Sequence, residues 1–547
     1  MYAKRGRFAR LCPSHLGAVA LLYLLSVSAD ASAAAPDIKY LFPAGATRGA
    51  TVQVTAGGNV GGWPAQVWVN RPGIQAVAGE EQGKFSVTVG ADAPPGVYWL
   101  RIFNAEGAAA PLPFLVGALS ETNEQEPNDS AAKSQALPSA SCTVNGRLEK
   151  RGDVDTFAVS LSKDQSLVAA VAAHETLGSP MDPVLQIVSP RGVVLAHSDD
   201  ERGLDPLLNF MAPSDGVYLV RLFAFPATPD ASISLAGGET FIYRLTVTTG
   251  GFVDAALPLA VSRAASTTVE ACGWNLADAE KRLSLTPAAE QTSVDLFAPP
   301  WAGGFSLPVV DRPSLCETEP NDLAHPQSVG LPATLSGRIA ENGDQDAFRI
   351  HLAKGTAWRF KAESRALGYP LDSVLRLADR SGKMLATSDD AGKSIDADLS
   401  FTSPADGDYT LVLSDLYGHG GRRYFYRLAL EPLEPDFSLT VAQHAYTLAA
   451  DKPLEVPVTI DRRQGFSGDI EISVVGLPEG VTCSPVKSAA QGDTAKAVKL
   501  TITGSAAFSG PIRMVGTAAE PNGRRRFAET PLAAATRTSD LWLTAFK

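Results

Sequence analysis

The chain is predicted to be all-β, a tandem series of β-sandwich domains. Three observations carry that prediction. Across 547 residues, 48 Gly and 38 Pro punctuate short runs of Val, Leu, Thr, Phe and Tyr, the texture of sandwiches and barrels. Long stretches of helical periodicity are scarce. The length also exceeds what one hydrophobic core supports, so four or five domains of roughly 100 residues are expected.

Residues 1–35 read as a leader outside the fold. Lys4, Arg5, Arg7 and Arg10 form a basic start, Leu16 to Val27 an apolar run, and Ala31-Ser32-Ala33 a small-residue cleavage site. The run is shorter than the ~20 residues a membrane span needs, which favours a cleaved signal peptide over an anchor helix. Cys12 precedes the run, so it is not the lipidated cysteine of a lipoprotein signal. Loss of this segment removes four positive charges and one negative, moving the formal charge from −12 to −15. So acidic a chain is ill suited to nucleic acid, whose binding rests on Lys and Arg neutralising phosphate. It fits a solvated exported protein, secreted, periplasmic or at a bacterial cell surface. Four cysteines remain, Cys142, Cys272, Cys316 and Cys483. Cys272 and Cys316 could pair, but three connectivities are possible and free thiols fit as well.

Residues 36–120 make a small β-sandwich module, with strands expected at Thr51–Thr55, Gln66–Val69, Phe85–Val89 and Trp99–Phe103. Residues 121–249 and 316–432 repeat one another. Met181-Asp182-Pro-Val-Leu185 matches Leu371-Asp372-Ser-Val-Leu375, and Ser198-Asp199-Asp200 matches Ser388-Asp389-Asp390. Asp215-Gly216-Val-Tyr218 matches Asp406-Gly407-Asp-Tyr409, and Tyr243-Arg-Leu245 matches Tyr426-Arg-Leu428. An offset near 190 residues is duplication of a whole domain, not a solenoid. Residues 250–315 read as a reduced version of the first module: Leu257-Pro-Leu-Ala and Gly273-Trp274-Asn echo Phe42-Pro-Ala-Gly and Gly57-Gly-Asn. Residues 433–547 alternate as an immunoglobulin-like sandwich, without that family's Cys…Trp…Cys signature.

Each repeat opens on an acidic stretch: Glu124-Gln-Glu126-Pro-Asn128-Asp129, and Glu317-Thr-Glu319-Pro-Asn321-Asp322. Three carboxylates and an asparagine amide crowd the six residues of each, and the proline keeps the segment from coiling into a helix. Oxygen atoms so arranged suit a hard cation such as calcium, which takes six to eight oxygen ligands. A Gly-Asp-x-Asp turn follows at matched distance, Asp153 lying 29 residues after Glu124 and Asp344 lying 27 after Glu317. The bland alternative is a solvated acidic linker.

With these elements in hand, the two repeats resemble the bacterial pre-peptidase C-terminal (PPC) domain, the family that includes the collagen-binding domains of clostridial collagenases. The resemblance rests on E-x-E-P-N-D, G-D-x-D-x-F (Asp153, Asp155 and Phe157; Asp344, Asp346 and Phe348), the S-D-D turn and the D-G-x-Y hairpin. It implies a jelly-roll-like sandwich whose acidic entry is pinned by calcium. Carried over by position, it implies Glu124, Glu126, Asn128, Asp129, Asp153 and Asp155 for one site. Glu317, Glu319, Asn321, Asp322, Asp344 and Asp346 would make the other. Collagen binding does not carry over, because Tyr243 and Tyr426 on the last strand are better read as buried than as a contact surface.

No catalytic motif is found. His174-Glu175-Thr-Leu-Gly178 lacks the second histidine of a zinc-protease helix and reads as an exposed loop. Ser198-Asp199-Asp200 and its counterpart read as turns with acids bonded to local backbone, further metal ligation being the alternative. Tyr218 and Tyr409 read as core residues with satisfied hydroxyls. Gly418-His-Gly-Gly-Arg422-Arg423-Tyr424 and Arg524-Arg525-Arg526 read as solvated basic loops, with contact to an anionic polymer the alternative. The expected function is non-catalytic binding or adhesion to an extracellular protein or polysaccharide. Calcium would stiffen the joints of a string of sandwiches. A chain that docks to, or targets, a separate exported protease is the alternative.

Overall fold

The computed structural model describes residues 34–229, 234–289, 291–296, 301–392, 394–519, 523–532 and 536–547. The leader segment lies outside the described residues. The fold is all-β, as predicted: among the described residues the helical elements are His174–Leu177 and two three-residue turns. His174–Leu177 corrects the expected loop. It forms because Asp205 accepts hydrogen bonds from the backbone N–H of Ala173, His174 and Glu175 (3.0, 2.7 and 3.2 Å), meeting donors that a helix start leaves free. Leu177 is buried beneath it.

Residues 121–248 form two five-stranded sheets. One runs in the order Glu121–Asn123, Cys142–Arg147, Ile242–Thr248, Ser166–Ala172 and Leu207–Met211. The other runs Gln135–Ala136, Asp155–Leu161, Gly216–Pro226, Met181–Val188 and Val194–Ser198. Alternate residues such as Phe157, Val159 and Leu161 point into one apolar core between the sheets, as period-two patterning requires. Residues 314–432 repeat the same strand order in both sheets. Asp396 takes the place of Asp205, accepting from Ser364, Arg365 and Ala366. Tyr218 and Tyr409 are buried, and each hydroxyl donates to the carbonyl four residues back (Ser214 and Ala405, both 2.8 Å).

The entry segment has a particular path. Glu121–Asn123 pairs parallel with Cys142–Arg147 in the first sheet, while Gln135–Ala136 pairs parallel with Asp155–Leu161 in the second. The acidic stretch between them must therefore cross from one sheet to the other. Ser314–Cys316 and Gln327–Ser328 do the same in the second repeat.

The strand pairs that open residues 34–117 and 252–310 share one register. Asp37–Phe42 pairs with Thr51–Asn59, and Phe252–Leu257 with Thr267–Trp274, each pair carrying a bulge at the third residue. Each such module packs on the sandwich that follows it through equivalent positions. Tyr40, Ala44, Leu177 and Ile242 make one apolar joint. Ala255, Leu259, Leu367 and Phe425 make the other.

Residues 436–545 form one continuous, wrapped sheet. Phe508–Thr517 turns the corner, pairing with Leu541–Ala545 over its first half and with Ile470–Val475 over its second. This domain closes back on the first module, so the chain is not a linear string. Arg101, fully buried, donates to the carbonyls of Asp540 (2.8 Å) and His444 (3.2 Å). Phe103 and Trp68 stack against Trp542 with centroids 4.7 and 6.1 Å apart. Alternation along single strands carries no trace of contacts spanning more than 400 residues. The four described cysteines are unpaired.

Arg101→Met keeps the apolar stem but strands two carbonyls, so it should destabilise the closure by about 1–3 kcal/mol. Calorimetry should show the transition of the C-terminal domain shifted downward. An unchanged scan would mean that the aromatic contacts suffice alone.

Candidate metal centres

Where the acidic stretch crosses between sheets, it meets the Gly-Asp-x-Asp turn at the start of Asp155–Leu161. Single carboxylate oxygens of Glu126, Asp153 and Asp155 lie within 4.8 Å of one another, as do those of Glu319, Asp344 and Asp346. The crossing is pinned at several points. Gln135 accepts from the Gln125 N–H (2.8 Å) and donates to the Asn123 carbonyl (3.0 Å), and Gln327 does likewise in the second repeat. Glu126 Oε2 accepts from the Asn128 N–H (3.1 Å), and the Asn128 carbonyl accepts from Thr156 (3.1 Å). Asn128 is thereby turned inward and fully buried.

The deepest carboxylates share one hydroxyl. Tyr243 Oη lies 2.6 Å from Asp155 Oδ2 and 3.0 Å from Glu124 Oε2. Tyr426 repeats this with Asp346 Oδ2 (2.6 Å) and Glu317 Oε2 (2.8 Å). The far oxygens of Glu124 and Glu317 accept from the Arg147 and Arg338 N–H, both at 2.7 Å. One phenolic proton cannot serve two carboxylates fully. Burial, with the repulsion of the neighbouring acid, pushes the carboxyl pairs well above their usual range in both repeats. Burial raises Glu126 as well.

The remaining oxygens are the informative ones. In the first pocket the side-chain atoms of Asn128, together with Asp153 Oδ1 and Asp155 Oδ1, are buried with no hydrogen-bond partner. The other oxygen of Asp153 accepts from the Glu149 N–H at 2.5 Å, so its free oxygen is held in place. In the second pocket Asn321 Oδ1 faces Glu319 Oε2 and Asp346 Oδ1 at 3.0 Å, acceptor against acceptor; half a turn of the amide would make both contacts hydrogen bonds. Buried polar atoms are ordinarily partnered. The converging orphan oxygens of the first pocket fit an oxygen-seeking divalent cation, and neither donor set holds a nitrogen or sulfur ligand of the kind zinc prefers.

Ten of the twelve residues singled out in the sequence meet in these two pockets. Glu124 and Glu317 form the inner wall beneath the three-carboxylate rim. Asp129 and Asp322 stand apart, because the residue after an inward-facing asparagine points outward. Asp129 is exposed. Asp322 instead caps a turn, accepting from the N–H of Ala324 and His325 (2.9 and 2.8 Å). Sequence reasoning missed the floor: Tyr243 and Tyr426, seen only as buried, and Gly146 and Gly337. A Cβ on Gly146 would run into the Tyr243 ring and lie 2.6 Å from Glu124 Oε2, and Gly337 is equally hemmed in.

The basic loops are solvated only in part: His419, Arg422 and Arg525 are exposed, while their neighbours are turned onto other segments. Arg423 is buried and donates from Nε to Asp254 Oδ2 (2.7 Å), which Arg202 grips from the other side (2.8 Å). Burial works against the charge on Asp254, but the two guanidinium groups outweigh it and hold its carboxyl below the usual range. Arg422 stacks on Trp274 (4.6 Å). Arg524 pairs with Glu434, and Arg526 with Asp436 (2.9 Å). In the Ser-Asp-Asp segments, Asp199 and Asp389 each accept from the next backbone N–H (3.0 Å), the turn reading. His174, His325, His351, His419 and His444 contact carbonyl or carboxylate oxygens or Arg101, not a serine hydroxyl or a cysteine thiol.

No protein-family model matches the chain. A probable subtilase-type serine protease of Deinococcus radiodurans is 29% identical over 242 residues, which are 43% of this chain and 26% of that protein. The chain thus spans about a quarter of the length of that relative. Among solved structures, the pre-peptidase C-terminal domain of collagenase from Bacillus anthracis aligns at 17% identity. The alignment covers 19% of this chain and 93% of that one, with a TM-score of 0.16. Domains 4 and 5 of the S-layer protein SbsC align at 11% identity over 32% of this chain and 98% of theirs, with a TM-score of 0.14.

Two outcomes follow from the pocket. Gly146→Ala must displace Tyr243 or Glu124, so it should lower the melting temperature by several degrees, as a clash in a packed core does. The raised carboxyls hold protons when folded that they release when unfolded. Metal-free stability from this source should therefore fall as pH rises above about 4 through the raised range. Melts in chelator at pH 5.5 and pH 8 should show this fall, and Glu124→Gln with Glu317→Gln should flatten it.

Proposed function

We propose that the chain is an exported, non-catalytic binding protein whose two acid pockets each hold calcium, pinning the entry of each sandwich. The observation that supports calcium most is the set of unpartnered buried oxygens on Asn128, Asp153 and Asp155. In the first pocket Glu126, Asn128, Asp153 and Asp155 would supply ligands, with Glu124 and Tyr243 behind them. In the second the corresponding set is Glu319, Asn321, Asp344 and Asp346, backed by Glu317 and Tyr426. The cation would relieve the repulsion that the shared hydroxyl proton relieves only in part. It would also fix the crossing segment, and with it the joint to the preceding module. Glu121, at the start of that segment, bonds Arg244 at 2.7 Å, and an added Cβ on Gly45 of that module would collide with Arg244.

Such a stiffened body suits adhesion, holding an extracellular protein or polysaccharide. The match to part of a subtilase-type protease favours a second reading, in which these domains accompany or target an exported protease. Retention on matrix proteins or glycans would support the first. Binding to a purified subtilase, or a change in its rate on casein, would support the second.

Extracellular calcium modules bind at about 10⁻⁴–10⁻³ M. Calcium at 10 mM should then stabilise each domain by roughly 1.4–2.7 kcal/mol. Calorimetry with calcium and with chelator should show the rise, with Glu126→Ala and Glu319→Ala each losing about half. A rise that survives both substitutions would place the ion elsewhere.

A further inference from the structure

The closure of the first module on the last domain has a titratable group at its centre. His444 immediately precedes Ala445–Leu448, the strand that pairs with Leu541–Ala545. Its carbonyl accepts from the Trp542 N–H (2.9 Å) and from Arg101 Nη1 (3.2 Å). The same Nη1 lies 3.4 Å from His444 Nδ1. A guanidinium has donors and no acceptor, so Nδ1 accepts in this contact and carries no proton. The imidazole is therefore neutral in the closed form, with its proton on Nε2.

The surroundings offer little to answer a second positive charge. The strands packed about the joint are Gly96–Asn104, Gly107–Ala108 and Leu541–Ala545, and Arg101 is the one charged residue they carry. It is fully buried, with its guanidinium 5.4 Å from the Trp542 ring. Tyr98, on the same strand, belongs to the module's own core. Glu106, on the turn before Gly107, is exposed. Asp540 gives its carbonyl to Arg101, but its carboxylate pairs with Arg513 at 2.6 Å. On the segment of His444 itself, burial keeps the Tyr446 hydroxyl protonated, pushing it up to about 12. Burial and the charge of Arg101 accordingly hold the His444 imidazole down, at about 4.

A proton on Nδ1 would set N–H against N–H and cation against cation where water is excluded and repulsion is weakly screened. We infer that the joint between the first module and the last domain is an acid-sensitive latch, shut while neutral His444 accepts from Arg101 and released when that nitrogen takes a proton. Once open, the ring is in water and titrates near its ordinary 6.5. The open form then takes up a proton that the closed form refuses. Between about pH 6.5 and the closed-form value of about 4, acid should therefore raise the opening constant by up to about tenfold per pH unit.

Hydrogen exchange of the full chain, read by mass spectrometry and corrected for intrinsic rates, tests this on the peptides around Arg101, His444 and Trp542. Protection there should fall about tenfold or more from pH 7 to pH 5, while that of Asp155–Leu161 in the first sandwich does not fall with it. His444→Asn keeps an acceptor near the position of Nδ1 and takes no proton, so its protection at the joint should be the same at both pH values. His444→Lys, charged throughout, should be open already at pH 7. A fall that persists in His444→Asn, or a His444→Lys chain as protected as the parent, would overturn the inference. A second reading does not depend on how the variants fold. The imidazole resonance of His444 should titrate below pH 5 in the parent chain. Titration near 6.5 would show that the closed joint accepts the proton, and the latch would fall.

Discussion

Like-charged carboxylates buried around a single tyrosine hydroxyl are the constraint on which each sandwich is built. Glu124 and Asp155 approach Tyr243, and Glu317 and Asp346 approach Tyr426, each pair with one phenolic hydroxyl between them. Burying such a pair is costly unless its charge is answered. Much of the local architecture follows from that need: the glycines that make room, the N–H groups of Arg147 and Arg338 that receive the far oxygens, and the asparagine turned toward the acids. The strand order explains how the pocket comes to exist. A segment that pairs first with one sheet and then with the other has to cross the open end of the sandwich, and there it meets the Gly-Asp-x-Asp turn.

A second principle organises the molecule at larger scale. Each module–sandwich joint is apolar and repeated, with Tyr40, Ala44 and Ile242 answered by Ala255, Leu259 and Phe425. Between the two pairs an apolar patch is reinforced by a buried charge, Asp254, held between Arg202 and Arg423. Removing one partner from such a cluster would leave an uncompensated buried charge behind. The closure of the first module on the last domain works differently. Trp542 supplies area, while Arg101 spends its donors on backbone carbonyls. Burial lowers the pKa of that guanidinium only to about 10, leaving it charged at neutral pH.

The fold class was legible because strand alternation and turn residues are local. Gln66–Val69 was located to the residue, and most other strands to within a few positions. The pockets were legible because two acidic clusters recur at nearly fixed spacing, and spacing survives in a sequence where geometry does not. Asp129 and Asp322 show the limit. The motif counts every acid, but backbone direction decides which of them turn inward. Tyr243 and Tyr426 were recognised as buried, yet nothing local marks a buried hydroxyl as the floor of a charged pocket. Arg423 misled for a related reason. A Gly-rich basic run has the composition of a loop tip, and its partner Asp254 lies 169 residues away.

By itself, then, the sequence determined the all-β class, the repetition of one sandwich and the identity of most residues in the two pockets, since each rests on local pattern or on recurrence. Tertiary structure alone decided which oxygens lack a partner, which arginines are spent on neighbouring domains and which sheet faces are covered. Those properties arise when segments far apart in the chain are brought together and water is excluded between them.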